Sequence, residues 1–191
     1  MKDRIISRAI QENMEVQRQV LEQCVGTIAQ IAAVLVRALQ EGHKVVLFGN
    51  GGSAADAQHV TAELVNRFLI NRAALPAIAL TTNSSILTSV SNDVSFDQVF
   101  ARQVEALAQE GDVVVGISTS GNSPSVLNGI VAAKEKGAIT VGFTGRSGGK
   151  LKGLVDHCFC VPSDHTPRIQ ETHITVWHAI CELIEQELFG T

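Results

Sequence analysis

The sequence predicts an α/β protein whose parallel sheet is covered by helices on both faces. Two observations predict it. From Lys44 onward, apolar runs of four to six residues alternate with helical patterns. Strands buried on both faces read as continuous apolar runs of this kind, and such alternation implies a parallel sheet. Two of the runs, Lys44–Phe48 and Asp112–Ile117, also stop at turns rich in Gly or Ser that open directly into helices. Ligands of open α/β sheets bind at such turns, beyond the carboxyl ends of the strands.

The elements follow in order. Ile6, Ile10, Met14, Gln17, Val20, Leu21 and Cys24 recur every three to four positions, which is the period of an amphipathic helix. Gly26 loosens that pattern. A second helix runs through Ile28, Ile31, Val34, Leu35 and Leu39, with Gly42 as its C-cap. These N-terminal helices, residues 1–41, lie outside the αβ alternation. Strand Lys44–Phe48 then leads to a helix over Ser53–Phe68. Strand Ala77–Leu80 leads to helical stretches over Ser84–Ser91 and Phe96–Leu107. Strand Asp112–Ile117 leads to a helix over Pro124–Lys136. Strand Ile139–Phe143 leads to a short helix over Gly149–Leu154. Strand Cys158–Val161 leads to a last helix over Pro167–Phe189.

A chain of 191 residues fits one domain, 1–191, and a domain of this size buries roughly 70% of its unfolded surface. The apolar fraction is 45%, as an ordered, core-rich protein requires. Net charge is −4 with no basic cluster, which argues against a nucleic-acid surface. The start, MKDRIISRAI, lacks the apolar stretch of a secretory signal. No apolar run approaches the ~20 residues of a membrane span. Cys24, Cys158, Cys160 and Cys181 show no CxxC spacing. They read as reduced thiols of a cytoplasmic protein, with Cys158 and Cys160 facing the core.

The chemistry concentrates in residues 49–63, GNGGSAADAQHVTAE. The turn matches the dinucleotide fingerprint GxGxxA, a weak signal by itself. A nicotinamide enzyme places an acid near the end of its second strand. Here that strand ends Leu80-Thr81-Thr82-Asn83. What survives is the physical core of the motif: glycines admit a ligand to the backbone, and the helix start offers N–H donors to an anion. The second turn, Ser118-Thr119-Ser120-Gly121-Asn122-Ser123-Pro124, places Ser123 at an N-cap and Pro124 at the first helical position. Capping alone does not explain four hydroxyls in six residues. Hydroxyls with free N–H groups make an anion cradle without lysine. One phosphate shared by the two turns is the economical reading.

His59 and Glu63 lie four residues apart on one helical face. A pair at this spacing is more often a surface hydrogen bond than a metal site. Asp56 shares that face in the first turn, where an acid complements the helix dipole. The last helix carries Gln170, Glu171, His173 and His178 in RIQETHITVWH. A single histidine there is more often a satisfied core group. Two histidines, a glutamate and a glutamine from two helices also suit a tetrahedral N/O site for zinc or a similar ion.

The segments GNGGSAADAQH, LPAIALTT, SNDVSFDQVFARQVEAL, EGDVVVGISTSGNSP, VGFTGRSGG and RIQETHI run in order across nearly the whole chain. On them the chain resembles the sugar isomerase (SIS) domain family, in the branch that interconverts seven-carbon sugar phosphates. The resemblance implies a three-layer α/β/α core with a five-stranded parallel sheet. It implies a homotetramer packed through the N-terminal helices, with sites at subunit interfaces. It implies conversion of sedoheptulose 7-phosphate to D-glycero-D-manno-heptose 7-phosphate in nucleotide-activated heptose biosynthesis.

Carried onto this chain, the family's metal ligands, expected to hold one Zn2+ per subunit, fall on His59, Glu63, Gln170 and His178. Its substrate-binding positions fall on Asn50, Gly51, Gly52, Ser53, Glu63, Arg67, Asn92, Asp93, Ser118, Thr119, Ser120, Ser123 and Gln170. Aldose–ketose isomerisation through a cis-enediol needs a base at carbon and an acid at the carbonyl oxygen. Those roles fall on Glu63 and His178. Some relatives are binding proteins for the replication initiator that lack the catalytic residues; the joint presence of His59, Glu63 and His178 favours the enzyme. No nucleic-acid or membrane partner is implied.

Overall fold

The structure, a computed structural model, describes residues 2–190. Two helices come first, α1 (Lys2–Gln23) and α2 (Val25–Gln40). Then β1 (Val45–Gly49), α3 (Gly52–Val65), β2 (Ala77–Ala79), α4 (Ser84–Asp93), α5 (Val99–Leu107), β3 (Val113–Ser118), α6 (Pro124–Glu135), β4 (Ile139–Gly145), β5 (His157–Val161) and α7 (Thr166–Phe189) follow. The five strands form one sheet in the order β2-β1-β3-β4-β5, and every pairing is parallel. The expected five-stranded three-layer architecture is therefore present.

The pleat sorts the side chains into two cores. Val45, Leu47, Val113, Val115, Ile117, Val141, Phe143, Phe159 and Val161 face a layer made by α2, α3 and α7. Val46, Phe48 and Val114 face the layer made by α5 and α6. All five residues of β1 and all six of β3 are buried, as the continuous apolar runs predict for central strands. α1 lies outside this sandwich and docks on α7. Asn13 Nδ2 donates to Glu171 at 2.7 Å and Gln17 Nε2 to Thr172 Oγ1 at 3.2 Å. Arg168 Nη1 donates to the Ala9 carbonyl, and Val16 and Val20 are buried beside these bonds. No single helix among the described residues is long and apolar enough to cross a membrane; α1 and α2 meet at a 74° bend.

Three expectations shift. The helix over Ser53–Phe68 is shorter, ending at Val65. The Arg72 guanidinium takes the carbonyls of Glu63 and Leu64 at 2.8 Å each, replacing the N–H donors that another helical turn would bring. The stretches near 96 and 149 begin or persist as 3₁₀ turns, Phe96–Gln98 and Leu151–Gly153. Cys158 and Cys160 do not face the main core. On edge strand β5 it is Phe159 and Val161 that are fully buried, and both thiols lie half-exposed on the opposite face, with sulfurs 3.6 Å apart. The alternation holds, but an edge strand has one well-covered face, and the cysteines occupy the other.

Candidate active site

The strand order fixes where a ligand can lie. The chain leaves β1 toward β2 on one side, and β3 pairs on the other. Crevices in open α/β sheets form at this reversal, outside the carboxyl ends of the strands. The turn after β1 and the turn after β3 are the two glycine- and serine-rich segments. They are physically joined: Asn50 Nδ2, in the first, donates to Ser125 Oγ, just after the second, at 3.0 Å.

The first turn needs its glycines. Gly51 adopts φ +55°, a left-handed conformation unfavourable to side chains. At Gly52 an added Cβ would stand 2.5 Å from Gln170 Nε2, so the Gln170 side chain rests directly on the start of α3. Ser53 is buried there, its N–H donating to the Asn50 carbonyl at 3.0 Å.

In the second turn, Ser118 Oγ donates to Ser123 Oγ at 3.1 Å, and Ser120 Oγ accepts from the Asn122 N–H at 3.2 Å. Ser123 is the N-cap of α6, as expected, yet its side chain makes no capping bond. Its hydroxyl points to Ser118 instead, and the Ser125 N–H is the first-turn donor of α6 left for an anion, since Pro124 carries no N–H and the Val126 N–H donates to the Ser123 carbonyl at 3.0 Å. The Gly145–Leu151 segment buttresses this turn. Gly145 N–H donates to the Thr119 carbonyl at 3.1 Å, Leu151 N–H to the Gly121 carbonyl at 3.0 Å, and Lys150 N–H to Asn122 Oδ1 at 3.1 Å.

Along α3 and α7 the acid–base groups meet. Gly52 touches Gln170, His59 faces His178, and Phe68 binds Glu185. These pairs rise together, so the two helices run in the same direction side by side. His59 Nε2 lies 3.1 Å from His178 Nε2 and 3.2 Å from Glu63 Oε1. Donors 2.0–2.1 Å from a tetrahedral zinc sit about 3.3 Å from one another, so both pairs stand at ligand spacing. No group of three or more His, Cys, Asp or Glu among the described residues already surrounds one metal position; the donors are gathered pairwise, with Gln170 folded against Gly52.

His173 is a core histidine, as the alternative reading anticipates, but it is satisfied on one side only: its buried Nδ1 has no hydrogen-bond partner. It is fully buried, its Nε2 lies 3.1 Å from the Thr144 carbonyl, and burial pushes its pKa down to about 4. Glu171 is structural: it binds Arg168 Nη2 at 2.7 Å and Asn13. Asn92 and Asp93 end α4, exposed and bonded to each other at 2.8 Å, and Arg67 is exposed beyond α3. Within one chain none of these three is hydrogen-bonded to the two turns.

Asp56 shares the face of His59 as expected, but α3 starts at Gly52 and has no acid in its first turn. The Asp56 Oδ2 is buried without a partner, and burial raises the pKa of this carboxyl to about 6 against the opposing pull of His59. One feature escaped the sequence. Phe68 stacks on His178, with ring centroids 5.3 Å apart and planes at 26°; nothing in the linear sequence pairs them.

Comparison with known proteins agrees with this geometry. A model of the SIS domain matches residues 10–145. A phosphoheptose isomerase of Geobacter metallireducens is 53% identical, over 99% of this chain and 100% of the relative. Two solved phosphoheptose isomerases share the fold. That of Neisseria gonorrhoeae has TM-score 0.93 and 39% identity, over 97% of this chain and 100% of the other. That of Francisella tularensis has TM-score 0.94 and 36% identity, over 97% and 99%.

Proposed function

The chain belongs to the SIS domain family, and from that premise we infer the reaction it carries out. It is an isomerase of sugar phosphates, converting sedoheptulose 7-phosphate to D-glycero-D-manno-heptose 7-phosphate. The observation that carries this is the distance between the two halves of the site. From Ser53, in the anion cradle, to His59 is six residues of α3, or about 9 Å of helix. A seven-carbon chain with a terminal phosphate has about eight bonds from its first carbon to phosphorus and, at about 1.25 Å of advance per bond along a zigzag, spans about 10 Å. A phosphate held by Ser53, Ser118, Ser120 and Ser123 would leave C1 and C2 beside Glu63 and His178.

The proposed steps follow from that placement. Glu63 takes a proton from the carbon bearing the hydroxyl, giving a cis-enediol. His178 protonates the neighbouring carbonyl oxygen. Return of the carbon-bound proton from Glu63 to the adjacent carbon, with the hydroxyl proton of the first carbon passing to His178 as the new carbonyl forms, completes the exchange, with roles reversed in the other direction. His59, Glu63, Gln170 and His178 offer the nitrogen and oxygen donors that suit zinc. When bound, such an ion supplies Lewis-acid polarisation of the sugar oxygens.

Residues 1–41 are proposed as the contact of a homotetramer. The support is the outward apolar face of α1, where Ile6, Ile10, Met14 and Leu21 are all exposed. Assembly would also give Asn92, Asp93 and Arg67 a second chain's site to serve. The working location is the cytoplasm. A binding-only role is disfavoured by the close meeting of His59, Glu63 and His178. The deciding experiment is incubation of the purified protein with sedoheptulose 7-phosphate and analysis of the products by NMR. Recovery of unchanged ketose with metal supplied would overturn the reading.

A further inference from the structure

Beyond the end of α3 the chain does not wander. Residues 68–72 are strapped to α7 by one buried ion pair. Glu185 and the Arg72 side chain are each 2% exposed, with Arg72 Nε 2.9 Å from Glu185 Oε1. Glu185 also accepts the backbone N–H groups of Phe68 and Leu69 at 2.8 Å each and of Ile70 at 3.1 Å. Burial raises the pKa of this carboxyl, but the three N–H donors and Arg72 outweigh it, and the net shift is downward. Every oxygen of a buried carboxylate is thus satisfied, the condition under which a buried pair fixes a conformation.

The two ends of the strap reach the two proposed acid–base groups. On one side, Arg72 Nη2 holds the Glu63 carbonyl at 2.8 Å. That fixes the backbone from which the Glu63 carboxylate projects. On the other, the anchored Phe68 lays its ring on His178. His178 and Glu185 are seven residues apart on α7, close to two turns, so they share a face about 10 Å apart. The chain therefore closes a ring: Glu185 grips the Phe68 backbone, and the Phe68 side chain reaches back along α7 to the imidazole. His59 meets the same imidazole at its Nε2 edge, so the ring is constrained on a face and at an edge.

We propose that Phe68 is a positioning residue for His178, holding the imidazole plane for proton transfer, and that Glu185 and Arg72 set Phe68 in place. This rests on the reading of His178 as the acid. A group misplaced by about 1 Å can cost on the order of 10²-fold in rate, so orientation is worth a dedicated contact. Phe68 lies beyond the end of α3 opposite to the turn that opens it, so its loss should leave the phosphate end of the substrate untouched.

The test compares Phe68→Leu with Phe68→Tyr, which keeps the ring. In metal-replete enzyme, Phe68→Leu should lower kcat about 10–100-fold with KM unchanged, and Phe68→Tyr should restore most of it. Glu185→Gln, which loosens the strap while retaining the ring, should lower kcat in the same direction and gives a second route if Phe68→Leu unfolds the segment. Full kcat in Phe68→Leu, a loss confined to KM, or a Tyr variant as impaired as Leu would overturn the proposal while His178→Gln stays inactive. A fully active His178→Gln would instead overturn the reading beneath it, and the proposal with it.

Discussion

His59 and His178 present their Nε2 atoms to each other at 3.1 Å across the seam between α3 and α7. Between two ring nitrogens at that distance there is room for one hydrogen bond or one shared ion. Glu63 stands 3.2 Å from His59 on the same seam. The proposed acid–base groups and the proposed metal donors thus meet on this seam.

Glu63→Gln and His178→Gln should each reduce turnover of sedoheptulose 7-phosphate by about 10²–10⁴-fold, the usual worth of a positioned base or acid. Both replacements are near-isosteric and both groups are partly exposed, so circular dichroism and Tm should change little. Near wild-type kcat in either folded variant would remove that residue from the mechanism.

Protein prepared without chelator should carry up to one zinc per chain by elemental analysis. Activity should fall with chelator and return on adding the ion, because His59 stands at ligand spacing from both Glu63 and His178, with Gln170 on the same helix as His178. His59→Gln should lose bound metal while keeping its fold. Undiminished turnover in metal-free protein would leave the ion without a catalytic part.

Ser120→Ala should lower kcat/KM about 10–100-fold, since a hydrogen bond to a charged group contributes about 1.5–3 kcal/mol. Inorganic phosphate should compete with substrate, and less tightly in the variant. An inhibition constant for phosphate that the substitution leaves unmoved would place the anion elsewhere.

The fold and the two turns proposed to hold the phosphate were legible because they rest on local chemistry. VVLFG and VVVGIS carry their own burial signal, and the turns that follow them announce their hydroxyls and glycines. The proposed metal donors were legible only as spacings within each helix. That α3 and α7 lie side by side is a consequence of sheet order, which the sequence states only through resemblance. Phe68, Arg72 and Glu185 were illegible for the same reason. Their partners lie more than a hundred residues away or across a helix end, and no periodicity encodes such a pairing. Cys158 and Cys160 misled because alternation tells which residues share a face but not which face is covered.

His173 gives a pH dependence with a definite sign. Its folded pKa, about 4, lies below the ordinary value of 6.5 because burial disfavours the charged ring. Between those values the unfolded chain binds a proton that the folded chain refuses, so stability rises with pH across this window. The contribution is complete above about pH 6.5 and is lost progressively toward pH 4, amounting to about 3 kcal/mol. His173→Gln can keep a donor for the Thr144 carbonyl without titrating. Urea unfolding at pH 7, 5.5 and 4.5 should show a shallower acid decline in the variant. Parallel declines would mean that His173 does not govern this limb.

The last prediction concerns α1. The periodic residues of this helix divide between two uses. Val16 and Val20 are buried against the rest of the chain, while Ile6, Ile10, Met14 and Leu21 are 56–71% exposed. On a helix of 3.6 residues per turn those four fall within a stripe about 80° wide. Single exposed apolar residues are ordinary, but a stripe of four large ones marks an interaction surface. A second copy of the same helix is the simplest partner, since a stripe with this spacing packs well on its own equal. Light scattering should give the mass of a tetramer for the intact protein. The double variant Ile10→Glu with Met14→Glu should dissociate it while keeping α1 docked through Asn13, Gln17 and Arg168, whose bonds it does not touch. If Asn92, Asp93 and Arg67 serve a neighbouring chain's site, isomerase activity should fall with dissociation, and raising the protein concentration should restore part of it. A double variant that stays tetrameric and fully active would show that this stripe does not build the assembly, and a monomeric, fully active wild type would show that the site needs no neighbour.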